Sequence, residues 1–150
     1  MYREMIRSTP VWGKGKITAP RRDCVFIANA AADGAQEGFR GLLVGRVYLF
    51  FSFQLNGVTH PCALLHWYTP FANGPDPDTG MWVVQPENDA AGYRNVGVIH
   101  IDSIVRAAHL LPIFGQAFVD TVLNYTQTLD AFPAFYVNKY ADSHANEIAF

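Results

Sequence analysis

Asn56-Gly57 stands directly between two runs rich in β-branched and aromatic residues, 42–54 and 58–68. A two-residue connection of type I′ needs positive φ at both positions, which Gly accepts freely and Asn tolerates. The pattern predicts a long antiparallel hairpin and commits the middle of the chain to sheet. Upstream, residues 23–29 read as a further strand, with Cys24, Phe26 and Ala28 on one face and Val25 and Ile27 on the other. Downstream, short strands are expected at Met81–Gln85 and Val96–Ile101, the second pairing with the first. Between the sheet runs, loop 70–80 carries three prolines and two glycines, and 86–95 is rich in turn formers.

After residue 101 the period changes. Ile101, Ile104, Val105, Ala108 and Leu111 recur at helical spacing, Asp102 or Ser103 can cap and Pro112 can stop, so a short helix is expected over 102–111. A second helix is expected within 128–148, where Leu129, Phe132, Phe135 or Tyr136, Tyr140 and His144 share a face and Pro133 falls in a tolerant first turn after Thr128 or Asp130. The expected fold is therefore mainly β. A small, partly open β-barrel spans 23–116, a basic arm covers 1–22, and a helical extension over 117–150 packs on the outside.

At 150 residues and 50% hydrophobic the chain suffices for one domain with a real core. Two cysteines, Cys24 and Cys62, cannot build a disulfide framework and suit a reducing compartment. The opening reads without a secretory signal, and the longest apolar stretch, Leu42–Phe53, is broken by Arg46 and too short for a membrane span. An intracellular protein that does not engage membranes is expected. Charge is asymmetric. Arg3, Arg7, Lys14, Lys16, Arg21 and Arg22 face only Glu4 in the first 22 residues, a net of +5, which leaves −7 on the remainder of a chain whose total is −2. A basic arm of this kind is either a solvated tail or a phosphate-binding element.

Three constellations carry chemistry. His60, Cys62 and His66 fall on one strand face, and Cys24 or His100 would have to complete a zinc set. Cysteines are equally at home as small core hydrophobes, so no metal and no cofactor is expected. His100, Asp102 and Ser103 have the composition of a catalytic group, but the last two are in place for capping; a metal-dependent enzyme using His60, Cys62, His66, His100 and Asp102 is the catalytic alternative. No glycine-rich phosphate loop is found, since Gly13 and Gly15 are not set between a strand and a helix. Finally, Trp67, Tyr68, Phe71 and Trp82 bracket loop 70–80 with Asp76 and Asp78 within it, while Glu87 and Asp89 follow in the next loop. Aromatic faces beside carboxylates favour a cation.

The order RDCVFI, GLLVGRVYLFFSF, NGVTHPCALLHWYTP, DTGMWVV, VIHIDSIVRAAHLLPIFG and LDAFPAFYVNKYADSHANEIAF resembles, over about residues 21–150, the C-terminal segment of proteins of KDZ-type and related transposable elements in mushroom-forming fungi. The resemblance implies a transposon-associated accessory module in the nucleus. The first half is also similar to the start of a bromo-adjacent homology domain, whose hairpin ends in a Trp-aromatic-x-Pro signature matched by Trp67, Tyr68 and Pro70; Thr69 stands where that family has Arg. Such domains are small β-barrels that bind histone tails or other proteins and are not enzymes. Three functions follow as expectations. The first is a non-catalytic reader of a cationic segment such as a histone tail, through Trp67, Tyr68, Phe71, Trp82, Asp76 and Asp78. The second is nucleic-acid binding through the arm, with Trp12 able to stack a base. The third is a structural or dimerisation domain of a transposase.

Overall fold

The computed structural model describes residues 3–12, 19–31, 38–116, 118–142 and 147. Among them ten strands follow in chain order: β1 (Ser8–Trp12), β2 (Ala19–Arg22), β3 (Cys24–Ala28), β4 (Leu42–Leu55), β5 (Val58–Pro70), β6 (Val83–Pro86), β7 (Val96–His100), β8 (Ile104–Ala108), β9 (Leu110–Pro112) and β10 (Phe135–Val137). One helical turn, α1 (Thr128–Ala131), precedes β10.

The β4–β5 hairpin dominates. It turns at Asn56 (φ 51°) and Gly57 (φ 77°), the type I′ signs that the dipeptide predicts. The main sheet runs β8-β3-β4-β5-β6-β10-β9, all neighbours antiparallel, and β7 adds to β5. Its two end strands, β8 and β9, are separated only by His109, so the chain itself joins the sheet's ends into a nearly closed barrel.

Two clusters fill the molecule. Cys24, Phe26, Val44, Tyr68, Val84, Ala108, Phe135 and Val137 come from the strands around the barrel and meet in its interior, joined by Trp82, just before β6, and by Phe39, which stacks on it. Val25, Ile27, Val47, Ala63 and Leu65 form the second cluster on the opposite face, covered by Ile6, Trp67, Ile99 and Ile104. Strand β3 therefore alternates as its sequence predicts, with both faces buried. Gly45 permits the second cluster to close, because a Cβ there would lie 2.9 Å from Leu65 Cδ1 and 3.1 Å from Ile27 Cδ1.

Three expectations are corrected. Residues 102–111 are not a helix: a 3-10 turn at Ile101–Ser103 leads into β8 and β9. Ile104 and Val105 are β-branched and favour extended backbone, and β3 pairs with Ile104, Arg106, Ala107 and Ala108, skipping Val105 at a bulge, while Ala108 reaches the barrel interior. Strand β7 does not pair with β6; it pairs with β5 from Cys62↔His100 to His66↔Val96, and β6 takes over from Tyr68 to Pro70. Between them the Trp67 backbone donates its N–H to Asn95 O (3.0 Å) and its carbonyl accepts from Glu87 N (2.8 Å), so this edge of β5 is covered from Cys62 to Pro70. Of the helix expected over 128–148, residues 132–142 are not helical; α1 forms at its start and Glu147 is again helical. Phe135, Tyr136 and Val137 instead form a strand between β6 and β9 and complete the barrel wall. His144 lies outside the described residues.

The arm is not a free tail where it is described. β1 and β2 pair, Arg7 N donates to the Asp23 carboxylate (2.9 Å), and Ser8 Oγ donates to Val47 O (3.2 Å), so the hairpin lies on the body.

Candidate functional site

The aromatic rim does not assemble. Trp67 and Tyr68 are adjacent on β5 and point to opposite faces, Trp67 into the second cluster and Tyr68 into the barrel. Trp67 lies over Gly97, where a Cβ would stand 2.6 Å from its Nε1. Trp82 is buried and stacks on Phe39 at 4.9 Å between ring centroids. Of the four rings only Phe71 is well exposed. Asp76 is committed to its own loop: its carboxylate accepts from Thr79 N (2.9 Å), Thr79 Oγ1 (3.0 Å) and Asp78 N (3.1 Å), and those bonds, the Thr79 backbone first, hold its pKa below the ordinary carboxylate range. Asp78 is exposed.

The imidazoles and thiols also separate. His60 and His100 meet edge-on at 6.5 Å, Phe53 stacks on His60 at 5.2 Å, and Cys62 stands in register opposite His100. His66 lies further along β5, with Nε2 2.8 Å from Glu87 O. A carbonyl only accepts, so Nε2 carries the proton. Cys24 is enclosed in the barrel, where burial pushes its thiol up to about 12, far from the thiolate a metal needs. Among the described residues no three His, Cys, Asp or Glu side chains form a group able to hold a metal ion. His100 and Asp102 act locally, since Nδ1 of His100 accepts from Asp102 N (3.2 Å) and caps the 3-10 turn.

What the fold does bring together is a group of arginines. The β4–β5 register slips between Val47 and Leu49, a bulge at Tyr48, and such bulges re-aim side chains. Around the Tyr48 ring stand three guanidiniums, with Cζ of Arg22 at 4.4 Å, of Arg94 at 5.5 Å and of Arg46 at 5.8 Å from the centroid, all within cation–π reach. They come from β2, from the loop before β7, and from β4. His66 closes the group at 6.4 Å between rings.

One carboxylate answers them directly. Asp130 of α1 receives a two-pronged pair from Arg46, Nη1 to Oδ1 at 2.7 Å and Nη2 to Oδ2 at 3.2 Å, and Arg94 approaches Oδ1 at 3.7 Å. The Arg46 bond is the main reason the Asp130 carboxyl titrates below its ordinary range. Arg46 is only 5% exposed, so this pair carries most of its compensation, while its Nε and the Tyr48 hydroxyl are buried without a hydrogen-bond partner among the described residues. His66 is shifted down, first by burial and then by Arg94 and Arg46, against its bond to Glu87 O and the Glu87 carboxylate.

A cleft of about 330 Å³ opens beside this group between β2 and the 3-10 turn Tyr125–Gln127, with Arg21, Arg22, Arg46, Tyr125 and Leu129 in its wall. Arg21 is paired to Asp23 at 2.8 Å. A second cleft of about 520 Å³ shares Arg21, Arg22, Tyr125 and Leu129 and continues to Arg106, whose charge is met by Glu4 (3.3 Å) and Asp142 (2.6 Å). Positive charge is thus concentrated at the Arg22–Arg46–Arg94 end, and Tyr125, 77% exposed, stands over both clefts.

Of the arm residues singled out from sequence, Arg22 enters this site, Arg21 lines its cleft, Arg7 is part of the arm's docking to Asp23, and Arg3 is exposed. Lys14 and Lys16 lie outside the described residues, as does the side chain of Trp12. Sequence reasoning missed Arg46, Tyr48, Arg94, Tyr125 and Asp130 as site residues. Arg46 alone left a signal, as the charged residue inside the apolar run 42–53. Comparison with protein-family models, with curated proteins and with solved structures finds no match to this chain.

Proposed function

We propose that the protein is a non-catalytic recognition module whose ligand is the phosphate backbone of a nucleic acid, held at the Arg22–Arg46–Arg94 group with a base against Tyr125. The observation that carries this reading is the convergence of three guanidiniums on Tyr48 with one directly paired carboxylate. Among the described residues the Arg22 guanidinium forms no hydrogen bond and that of Arg94 only the 3.7 Å contact, so both keep donors for an anion. Arginine forks match phosphate oxygens, and an exposed ring beside such a cleft suits an unpaired base. The acidic remainder of the chain confines the contact to this end, which favours a single strand over a duplex lying across the domain. The resemblance to mobile-element proteins agrees with such a ligand and a nuclear setting. The cationic-peptide reading draws less support, since Phe71 is the one rim aromatic left well exposed.

Fluorescence anisotropy with a labelled single-stranded oligonucleotide, at about 50 and 200 mM salt, tests the reading. Arg22→Ala and Arg94→Ala should each weaken binding uniformly across sequences and lower the log–log salt slope by about 0.7. Tyr125→Ala should weaken binding and leave the slope unchanged. Absence of binding at the lower salt, or undiminished binding by a folded Arg22→Ala/Arg94→Ala protein, overturns it.

A further inference from the structure

Beyond the bulge at Tyr48 the hairpin leaves the barrel. Strand β3 pairs with β4 only from Leu42 to Arg46, and from Leu49 onward β4, β5 and β7 form a three-stranded wing. One face of the wing is buried: Phe50, Ala63, Leu65 and Ile99 belong to the second cluster. The register places the other set on the opposite face. Leu49↔Leu64, Phe51↔Cys62, Phe53↔His60 and Leu55↔Val58 are cross-strand pairs, and Val98 and His100 stand opposite Leu64 and Cys62. The Phe53–His60 and His60–His100 ring contacts agree with that shared face.

This face is apolar and open. Leu49, Phe53, Leu55, Val58, Val96 and Val98 are each about half exposed, from 46% to 58%. No Lys, Arg, Asp or Glu stands among the paired positions beyond the bulge, Leu49–Leu55 with Val58–Leu64 and Val98–His100. Isolated exposed apolar residues are ordinary, but a contiguous sheet face is not. Two strands with seven wing residues each and the five-residue β7 beside them, about 4.8 Å apart, span roughly 14 Å across and 23 Å along the hairpin.

We propose that this face binds the same face of a second copy of the chain, two wings stacking about 10 Å apart as sheets do in a sandwich. Two observations select that occupant. A face without charge offers nothing to a nucleic acid or a charged peptide, whereas it is complementary to itself about a two-fold axis. Its extent also suffices: the six half-exposed residues carry on the order of 100 Å² of accessible surface each, so covering them on both copies removes about 1,200 Å², the lower range of specific interfaces. The face ends at His66 and Val96, next to the arginine group, so the dimer would carry two anion sites at its margins.

Sedimentation velocity of the full chain across about 1–100 µM tests the proposal. A species of twice the chain mass is expected at the upper end. Val98→Glu and Leu49→Glu, both on the open face, should each raise the dissociation constant tenfold or more while the melting temperature at low concentration stays put. Gln54→Glu, on the other face of the tip, should leave association unchanged. A parent protein that stays monomeric throughout, or a dimer indifferent to both open-face charges, overturns the proposal.

Discussion

One hairpin builds two regions that differ in kind. Below the bulge at Tyr48, strands β4 and β5 are barrel wall, and both their faces are buried: Val44 and Tyr68 look inward, Val47 and Leu65 into the second cluster. Above it the same strands form the wing, with one face packed and the other open. The residues in the two stretches are similar in type, so hydrophobicity along the hairpin does not separate them. What separates them is which neighbours the rest of the chain supplies. The barrel half receives β3, β6 and β10, while the wing receives only β7 and lacks a layer on one side. The arginine group sits at the junction, where the slip in register turns Tyr48 against Arg22, Arg46 and Arg94.

The contrast is broken most strongly from the barrel side. Phe135 is fully buried on a three-residue strand that joins β6 to β9. Phe135→Ala should cost about 3–5 kcal/mol, read as a drop in urea midpoint, with loss of fold at the upper end. The hairpin tip responds next. Gly57 has φ 77° and open space around it, so Gly57→Val meets no clash and is opposed only by backbone strain of about 1–3 kcal/mol. A stability equal to the parent would show that the turn rearranges without cost.

Asp130→Asn sharpens the junction. It leaves the nearly buried Arg46 guanidinium without its charged partner, and because Asp130 is half exposed the loss should be about 1–2 kcal/mol by chemical denaturation near neutral pH. The sign with pH follows from the depressed carboxyl. A group whose folded pKa lies below its ordinary 3.8 contributes stability that is present above that value and is lost as pH falls through the folded one. His66, also depressed, adds a loss that begins as pH falls through 6.5. The parent should therefore lose stability in two stages on acidification, and in Asp130→Asn the lower stage should shrink to what the likewise depressed Asp76 leaves. The smallest effect belongs to the wing: Phe53→Ala, at concentrations where the chain is a monomer, should change stability by no more than about 0.5 kcal/mol. A loss comparable to that of Phe135→Ala would mean that the open face is covered in the monomer.

Legibility along the chain follows the range of the signal. The hairpin was legible because its turn chemistry is local to Asn56-Gly57 and its strands are long. Strand β3 was legible because five residues alternate between two apolar environments. The stretch 101–112 misled: Ile101, Ile104, Val105, Ala108 and Leu111 satisfy a helical period, yet the chain there runs as two short strands on either side of His109, with a further slip against β3 between Phe26 and Ile27. Such breaks erase the alternation of period two on which a strand is recognised. Strand β10 is three residues long and follows Pro133, too brief to register as a pattern. Asp130 was visible only as a helix cap; as the partner of Arg46, 84 positions away, it had no local mark.

The amino-acid sequence by itself determined a mainly β domain, the position and hand of its central turn, the two-sided burial of β3 and a concentration of positive charge before residue 23. Those properties depend on steric limits at one or two residues, on side-chain alternation and on counting, none of which needs a distant partner. Only the tertiary structure decided which aromatic rings are buried, which strands meet the edge of β5, and that Arg22, Arg46, Arg94 and Asp130 share one site. Each of those outcomes depends on closing the barrel, which brings together residues more than a hundred positions apart, and on a single bulge that resets which side of the sheet each residue faces.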